Sequence, residues 1–209
     1  MNYSVMDDKI FEFVYVSAMR DATLQQSFSG KKAWMTDCNQ FTASTKALKA
    51  LVSDVIKGDI ANCDSYNERF LGISIKVCDD INLCPQKDGD GFFTFGNAQK
   101  LINIVMKYFY LHSFGNEEEK ANFRFCHCPM DQQLLEEVWS RRTELCEDTR
   151  KALGKRVDFL KSWGNEDFSC NNGIKVFPER YKVFQKAVTE LSKDKSPLEF
   201  DYFVWGNEN

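Results

Sequence analysis

Apolar side chains recur every three to four residues along most of this chain, the period of a helix with one buried stripe, and two-residue alternation is rare. Residues 7–28 place Ile10, Phe11, Val14 and Ala18 on one stripe, with Phe13 and Val16 widening it. Asp7 and Asp8 suit the positive end of that helix dipole, and Ser29-Gly30 ends it. Residues 31–42 have no clear period and read as a loop. A second helix starts at a Ser44 or Thr45 cap and runs through Lys57. It carries Leu48, Leu51, Val52, Val55 and Ile56 on one face, and Gly58 is its stop. The cluster Asn62-Cys63-Asp64-Ser65 caps a third helix over 66–83, built on Phe70, Ile73, Val77 and Ile81. Its β-branched stretch 73–77 leaves a strand open as the alternative. Cys84-Pro85 stops that element, and residues 86–91 form a turn-rich loop without the acidic spacing of a calcium loop.

The longest clean run covers 98–114. Leu101, Val105, Tyr108, Phe109 and His112 make one face, and Ile102 and Met106 widen it. Lys100, Asn103, Lys107 and Tyr110 lie opposite, and Gly115-Asn116 terminates the helix. Pro129 fits the first turn of the next helix, carried by Leu134, Leu135, Val138, Trp139 and Leu145. Gly154 kinks or splits that helix before Val157, Leu160 and Trp163 continue it to Gly164. Residues 165–173 read as a polar loop. Phe177-Pro178 opens a further helix through Leu191, and the capping box Ser196-Pro197-Leu198-Glu199 opens a short one over 198–205, whose composition also suits a strand. The expectation is an all-α single-domain helical bundle spanning 1–209, with about seven helices and room for one short strand element.

Composition narrows the function classes. Hydrophobic residues make up 43% of the 209, enough for a full core, and the 18 phenylalanines supply much of it. A net charge of −4 argues against duplex nucleic acid as a partner, because that binding draws on clustered Lys and Arg. No apolar run is long enough to span a membrane, and residues 1–9 lack a basic region followed by an apolar one, so a cytoplasmic protein without a membrane partner is expected. The eight cysteines contain no CxxC and read as reduced, packed thiols; no metal ligand set and no cofactor motif is assigned.

Candidate chemistry gathers in residues 92–131, which hold both histidines. The helix start Thr94-Phe95-Gly96-Asn97-Ala98-Gln99-Lys100 has the features of an anion site: free amides at the positive end of a dipole, a glycine for close approach, and side-chain donors. The alternative is a plain Thr94 cap with a tight turn at Gly96. Cys126-His127-Cys128 offers too few ligands for zinc, which leaves packed thiols or a Cys activated by His127. His127 and Asp131, four apart, form a candidate acid–base pair, against a structural role for both histidines. Arg142, on the buried side by periodicity, could point inward among otherwise solvated charges.

An all-helical chain of this size invites comparison with the HEPN ribonucleases, whose signature is an Arg shortly before a His. Lys107, Met106 and Val105 precede His112 at that spacing, and Asn122, Ala121 and Lys120 precede His127, so the nuclease motif is absent. The segments Phe95-Gly96-Asn97-Ala98-Gln99-Lys100 and Cys126-His127-Cys128-Pro129-Met130-Asp131 resemble parts of small uncharacterised proteins of bacteria and their mobile elements, a resemblance that implies no activity.

The sequence therefore points to a non-enzymatic binding protein for a small anionic, nucleotide-like ligand, a sensor or sponge encoded by a phage or mobile element. Phe95 would stack, Gly96, Asn97, Gln99 and Lys100 would hold the anion, and Arg124, His127 or Arg142 would add a second contact. The alternatives are a protein–protein interaction module or inhibitor, and a hydrolase or nuclease using His127 and Asp131.

Overall fold

The computed structural model describes residues 7–23, 43–83, 92–193 and 195–206. The ending of the first helix at Ser29-Gly30, the loop 31–42, the stop at Cys84-Pro85 and the loop 86–91 lie outside these residues. Among the described residues the chain is helical almost throughout: α1 (Asp8–Thr23), α2 (Ala43–Lys57), α3 (Cys63–Asn82), α4 (Phe95–His112), α5 (Glu117–Ala121), α6 (Gln132–Ser140), α7 (Glu147–Ala152), α8 (Arg156–Phe159), α9 (Glu179–Ser192) and α10 (Pro197–Gly206). Short 3-10 turns follow α5, α6 and α8, and one two-stranded antiparallel ribbon, β1 (Ser169–Asn171) with β2 (Ile174–Val176), pairs Cys170 with Lys175. The all-α class holds.

The boundaries follow local chemistry. Asn62 and Ser65 form a reciprocal capping box at the start of α3, and Thr94 and Asn97 form another at α4. The β-branched stretch in α3 is helical because Ile73 and Val77 both face the core. The run expected to continue from Pro129 to Gly164 is broken into α6, α7 and α8 with 3-10 turns between. Gly154 sits at φ +67°, the left-handed conformation that ends α7. Pro129 opens no helix: Asp131 caps α6, accepting from the Leu134 amide at 3.1 Å, and Pro129 lies in the extended stretch before it. The ribbon falls where a polar loop was expected, its turn at Asn172-Gly173 having both residues at positive φ.

Helix α4 is the axis of the fold. Every residue from Phe95 to Met106 is buried, and α1, α2, α3 and the 3-10 turn Trp163–Asn165 pack around it. The side opposite the apolar face is largely buried as well: Lys100, Asn103 and Tyr110 point into protein, because α4 has neighbours all round. Helix α9 packs against α6, α7 and α10 on the other side of the core.

Between α4 and α9 runs the extended stretch 126–131, buried although no strand pairs with it. Two glutamines replace the missing strand. Gln99 accepts from the Met130 amide and donates to the Met130 carbonyl, both at 2.9 Å. Gln185 does the same for Cys128, at 3.0 and 2.7 Å. Asn103 adds a second donor to the Cys128 carbonyl at 3.3 Å. A buried peptide group without a partner costs about 1–3 kcal/mol, so Gln99→Met, which strands both polar groups of Met130, is expected to destabilise the fold by roughly 2–5 kcal/mol in denaturant unfolding. An isosteric change on exposed Gln132 in the same assay should fall within about 0.5 kcal/mol of the parent.

Candidate functional site

The start of α4 is closed by the protein itself. The Gly96 amide donates to the Glu166 carbonyl at 2.8 Å, the Asn97 amide to Thr94 Oγ1 at 3.3 Å, and the Ala98 amide to the Thr94 carbonyl at 3.0 Å. The Thr94 hydroxyl donates to the Gly164 carbonyl at 2.7 Å. A Cβ at position 96 would lie 1.8 Å from the Trp163 carbonyl oxygen, so glycine is needed here for backbone packing rather than for ligand approach. The partial negative charge that the dipole attracts comes from chain carbonyls of the 163–166 turn. Phe95 is fully buried, edge-on to Tyr181 at 4.9 Å and to Phe168 at 5.2 Å, and presents no face to a ligand. Asn97 is spent on its capping box and Gln99 on Met130.

The other expected residues separate. Lys100 reaches a cavity beside Asp131. Arg142, at the end of α6, donates to the Trp139 carbonyl at 3.0 Å and lies over the Trp139 ring. Arg124 and His127 come together in a cleft of about 570 Å³ between α9, the start of α3 and residues 124–127. That volume is in the range of small-ligand sites.

Helix α9 supplies one wall. Lys182, Lys186, Thr189 and the following Lys193 recur at helical spacing next to the stripe Tyr181, Phe184, Val188 and Leu191 that anchors the helix in the core. Lys195 and Arg124 complete the rim, while Phe125, Phe177 and Tyr181 give aromatic surface. The lining residues include these five cations and no carboxylate among the described residues. Lys182 pairs with Glu179 and Lys195 with Glu199, both outside the lining. Arg124, Lys186 and Lys193 make no salt bridge among the described residues, and the Arg124 guanidinium stacks 4.5 Å from the Phe125 ring. The signal for this wall is a second stripe in the sequence: Lys182 and Lys186 on α9, followed by Lys193 just past its end, repeat at helical spacing beside the apolar face.

His127 forms the floor. Its Nε2 is 2.7 Å from Asn67 Oδ1 and its Nδ1 is 2.9 Å from the Tyr181 hydroxyl. An amide oxygen only accepts, so Nε2 carries the hydrogen and Nδ1 accepts from Tyr181. Tyr181 in turn accepts from Asn103 Nδ2 at 3.1 Å. With Tyr66, Phe70, Phe177 and Tyr181 around the ring, burial depresses the imidazole pKa to about 3. The expected His127–Asp131 pair does not form: both ring nitrogens are engaged elsewhere, and Asp131 turns to α6 and Lys100. Burial also pushes the Cys126 thiol up to about 12 and that of Cys128 well above its usual value, so neither is the activated nucleophile once weighed. Among the described residues no three His, Cys, Asp or Glu side chains gather as a metal site. No helix among them is long and apolar enough to cross a membrane.

No protein-family model matches the chain, nor does any curated protein or solved structure.

The buried imidazole links stability to pH. Its folded pKa lies below the unfolded value of 6.5, so its contribution is complete above pH 6.5 and is lost as pH falls toward about 3. Between pH 6.5 and 4.5 the loss should be about 2–3 kcal/mol. Asp201, raised to about 6, acts in the opposite sense over pH 4–6 and cancels when parent and variant are compared. Denaturant unfolding at the two pH values should show the parent losing that amount relative to His127→Gln. Equal losses in the two proteins would mean that His127 is not held neutral.

Proposed function

We propose that this protein binds a small anionic, nucleotide-like ligand in the basic cleft between α9 and the 124–127 turn. The observation that carries the reading is the charge of the lining: five cations and no carboxylate among the described residues, on a chain whose net charge is −4. A concave site of one sign concentrates field and draws the opposite charge. Arg124 would meet phosphate oxygens with its planar fork, and Lys186 and Lys193 would add point charges. Phe125 and Phe177, both half-buried, offer faces for a base. The Asn67 amide nitrogen, whose one hydrogen bond among the described residues goes to the weak acceptor Cys63 Sγ at 3.4 Å, can donate to a base edge.

The chemistry around the cleft favours binding over turnover. Its histidine is neutral with both nitrogens occupied, its buried thiol is protonated, and its described lining has no carboxylate to act as a base. Such a protein would act as a sensor or a sequestering sponge, for instance in conflict between phage and host.

A second reading, an interaction module, draws on the aromatic group where α10 meets the end of α4. Phe114, Tyr202, Phe203 and Trp205 are each 42–47% exposed, and Phe114 and Tyr202 lie 5.4 Å apart.

Thermal shift against ATP, cyclic dinucleotides, ADP-ribose, tripolyphosphate and adenosine separates charge from base recognition. A nucleotide at ~100 times its Kd should stabilise the fold by about 2.7 kcal/mol, with tripolyphosphate weaker and adenosine weaker still. Lys186→Glu with Lys193→Glu, both exposed, should abolish the shift without lowering the ligand-free Tm, whereas Lys100→Met should leave it intact. If no anion shifts the Tm, or the shift survives the charge reversals, the cleft is not the site. In that event Tyr202→Ser with Phe203→Ser becomes the next comparison, read as a loss of self-association or partner binding.

A further inference from the structure

A second cavity, of about 350 Å³, opens beside α4. Helix α4 presents Lys100, Ile104, Lys107 and Tyr108 to it as one stripe; Asp131 closes one wall and Asp201 of α10 another. Lys107 has a close partner in Asp201 at 2.6 Å. Lys100 does not. Its ammonium lies in a side chain 7% exposed and makes no hydrogen bond among the described residues. Its nearest carboxylate oxygen is Asp131 Oδ2 at 3.9 Å, and the Trp163 face lies 4.4 Å away. A lysine this buried, with its nearest carboxylate oxygen beyond hydrogen-bond distance, has donors to give to a polar group that enters the cavity.

We propose that Lys100 is the amine of an imine-forming site, which takes a small aldehyde or ketone from this cavity with Asp131 as the proton-transfer group. Asp131 is built for that part. Its Oδ1 is held by the Leu134 amide as the cap of α6, which leaves Oδ2 turned to the ammonium. The ammonium passes a proton to Asp131, and the freed lone pair attacks the carbonyl carbon. A C–N bond forms while the π pair of C=O moves to oxygen, which takes up the proton. The carbinolamine oxygen then leaves as water with a second proton, originally on nitrogen, and the nitrogen lone pair closes C=N. The balance is ammonium plus carbonyl giving iminium plus one water, with no oxidant or reductant. The groups facing Lys100 are Asp131, Asp21 of α1, Asp201 of α10 and Lys107 of its own helix. Desolvation outweighs the attraction of the three carboxylates and, with repulsion from Lys107, draws the amine pKa down, the environment that makes a lysine nucleophilic. Desolvation likewise raises the Asp131 carboxyl, bringing donor and acceptor closer in pKa.

The test uses the intact protein, glyoxylate as the carbonyl probe and sodium cyanoborohydride to trap imines as stable adducts, with peptide mass mapping over a pH series. Near neutral pH, Lys100 should be trapped faster than exposed Lys151, by about tenfold for each unit its pKa lies lower, and in denaturant the two rates should converge. Asp131→Asn keeps an N-cap oxygen and so preserves the fold, yet it should slow trapping at Lys100 several-fold and leave Lys151 unchanged; a purely structural ion pair would not produce that split. Adducts spread over exposed lysines with Lys100 unmodified, or Lys100 no faster than Lys151, would overturn the proposal. So would an Asp131→Asn variant that traps at the parent rate.

Discussion

The fold depends on burying six residues of extended backbone, 126–131, inside a helical core. Helices satisfy their own peptide groups, and strands satisfy one another, but this stretch has neither. The solution is side-chain amides: Gln99 and Gln185 each present a carbonyl and an NH2 in the geometry of a neighbouring peptide, at residues two apart on the stretch. Both glutamines must therefore point into the core, which fixes the rotation of α4 and of α9. Once α4 is turned so that Gln99 and Asn103 meet the stretch, its neighbours Lys100 and Lys107 are carried toward Asp131 and Asp201. Once α9 is turned so that Gln185 meets Cys128, Lys182 and Lys186 are carried to the cleft. The placement of both charged sites follows from the pairing of buried amides.

The same stretch explains His127. An extended backbone at this depth holds the ring among Tyr66, Phe70, Phe177 and Tyr181, where charge is excluded. The hydrogen-bond chain Asn103 to Tyr181 to His127 to Asn67 then runs in one direction and fixes one tautomer. It links the middle of α4 to the wall of the cleft, so the imidazole is a fixed part of the cleft floor.

Much of the fold was legible because helical periodicity and caps are local signals. The stripe Phe70, Ile73, Val77, Ile81, the box at Asn62 and Ser65, and the proline opening α10 each sit where the pattern put them. The misreadings have one cause. Periodicity assigns one buried face, yet α4 is surrounded, and its polar residues Gln99, Lys100 and Asn103 became solvent or ligand contacts by default when their partners lay 25 to 78 residues away. A glycine and free amides at a helix start look alike whether a phosphate or the 163–166 turn fills them; only the Trp163 carbonyl at 1.8 Å from a notional Cβ decides. Nor does any local pattern announce a strand paired by glutamines, which is why Pro129 read as a helix start. Arg124 and His127 do line one cleft, but the lysines that line it with them lie on or just after α9, remote in sequence.

The two cavities contrast in a way that bears on what each can do. In the cleft the cations sit on exposed side chains around an aromatic floor, and the described lining holds no carboxylate to neutralise them, an arrangement that attracts negative charge. In the cavity beside α4, Lys100, Asp131 and Asp201 are buried together, so each group's charge depends on its neighbours, with Lys100 drawn down and Asp131 and Asp201 drawn up. Desolvation thus draws the lysine and the carboxyls toward one another in pKa. Cys126 and His127 face the first site and Pro129 and Asp131 the second, on one stretch pinned between them by Gln99 and Gln185. Four amide hydrogen bonds oppose any movement of that stretch.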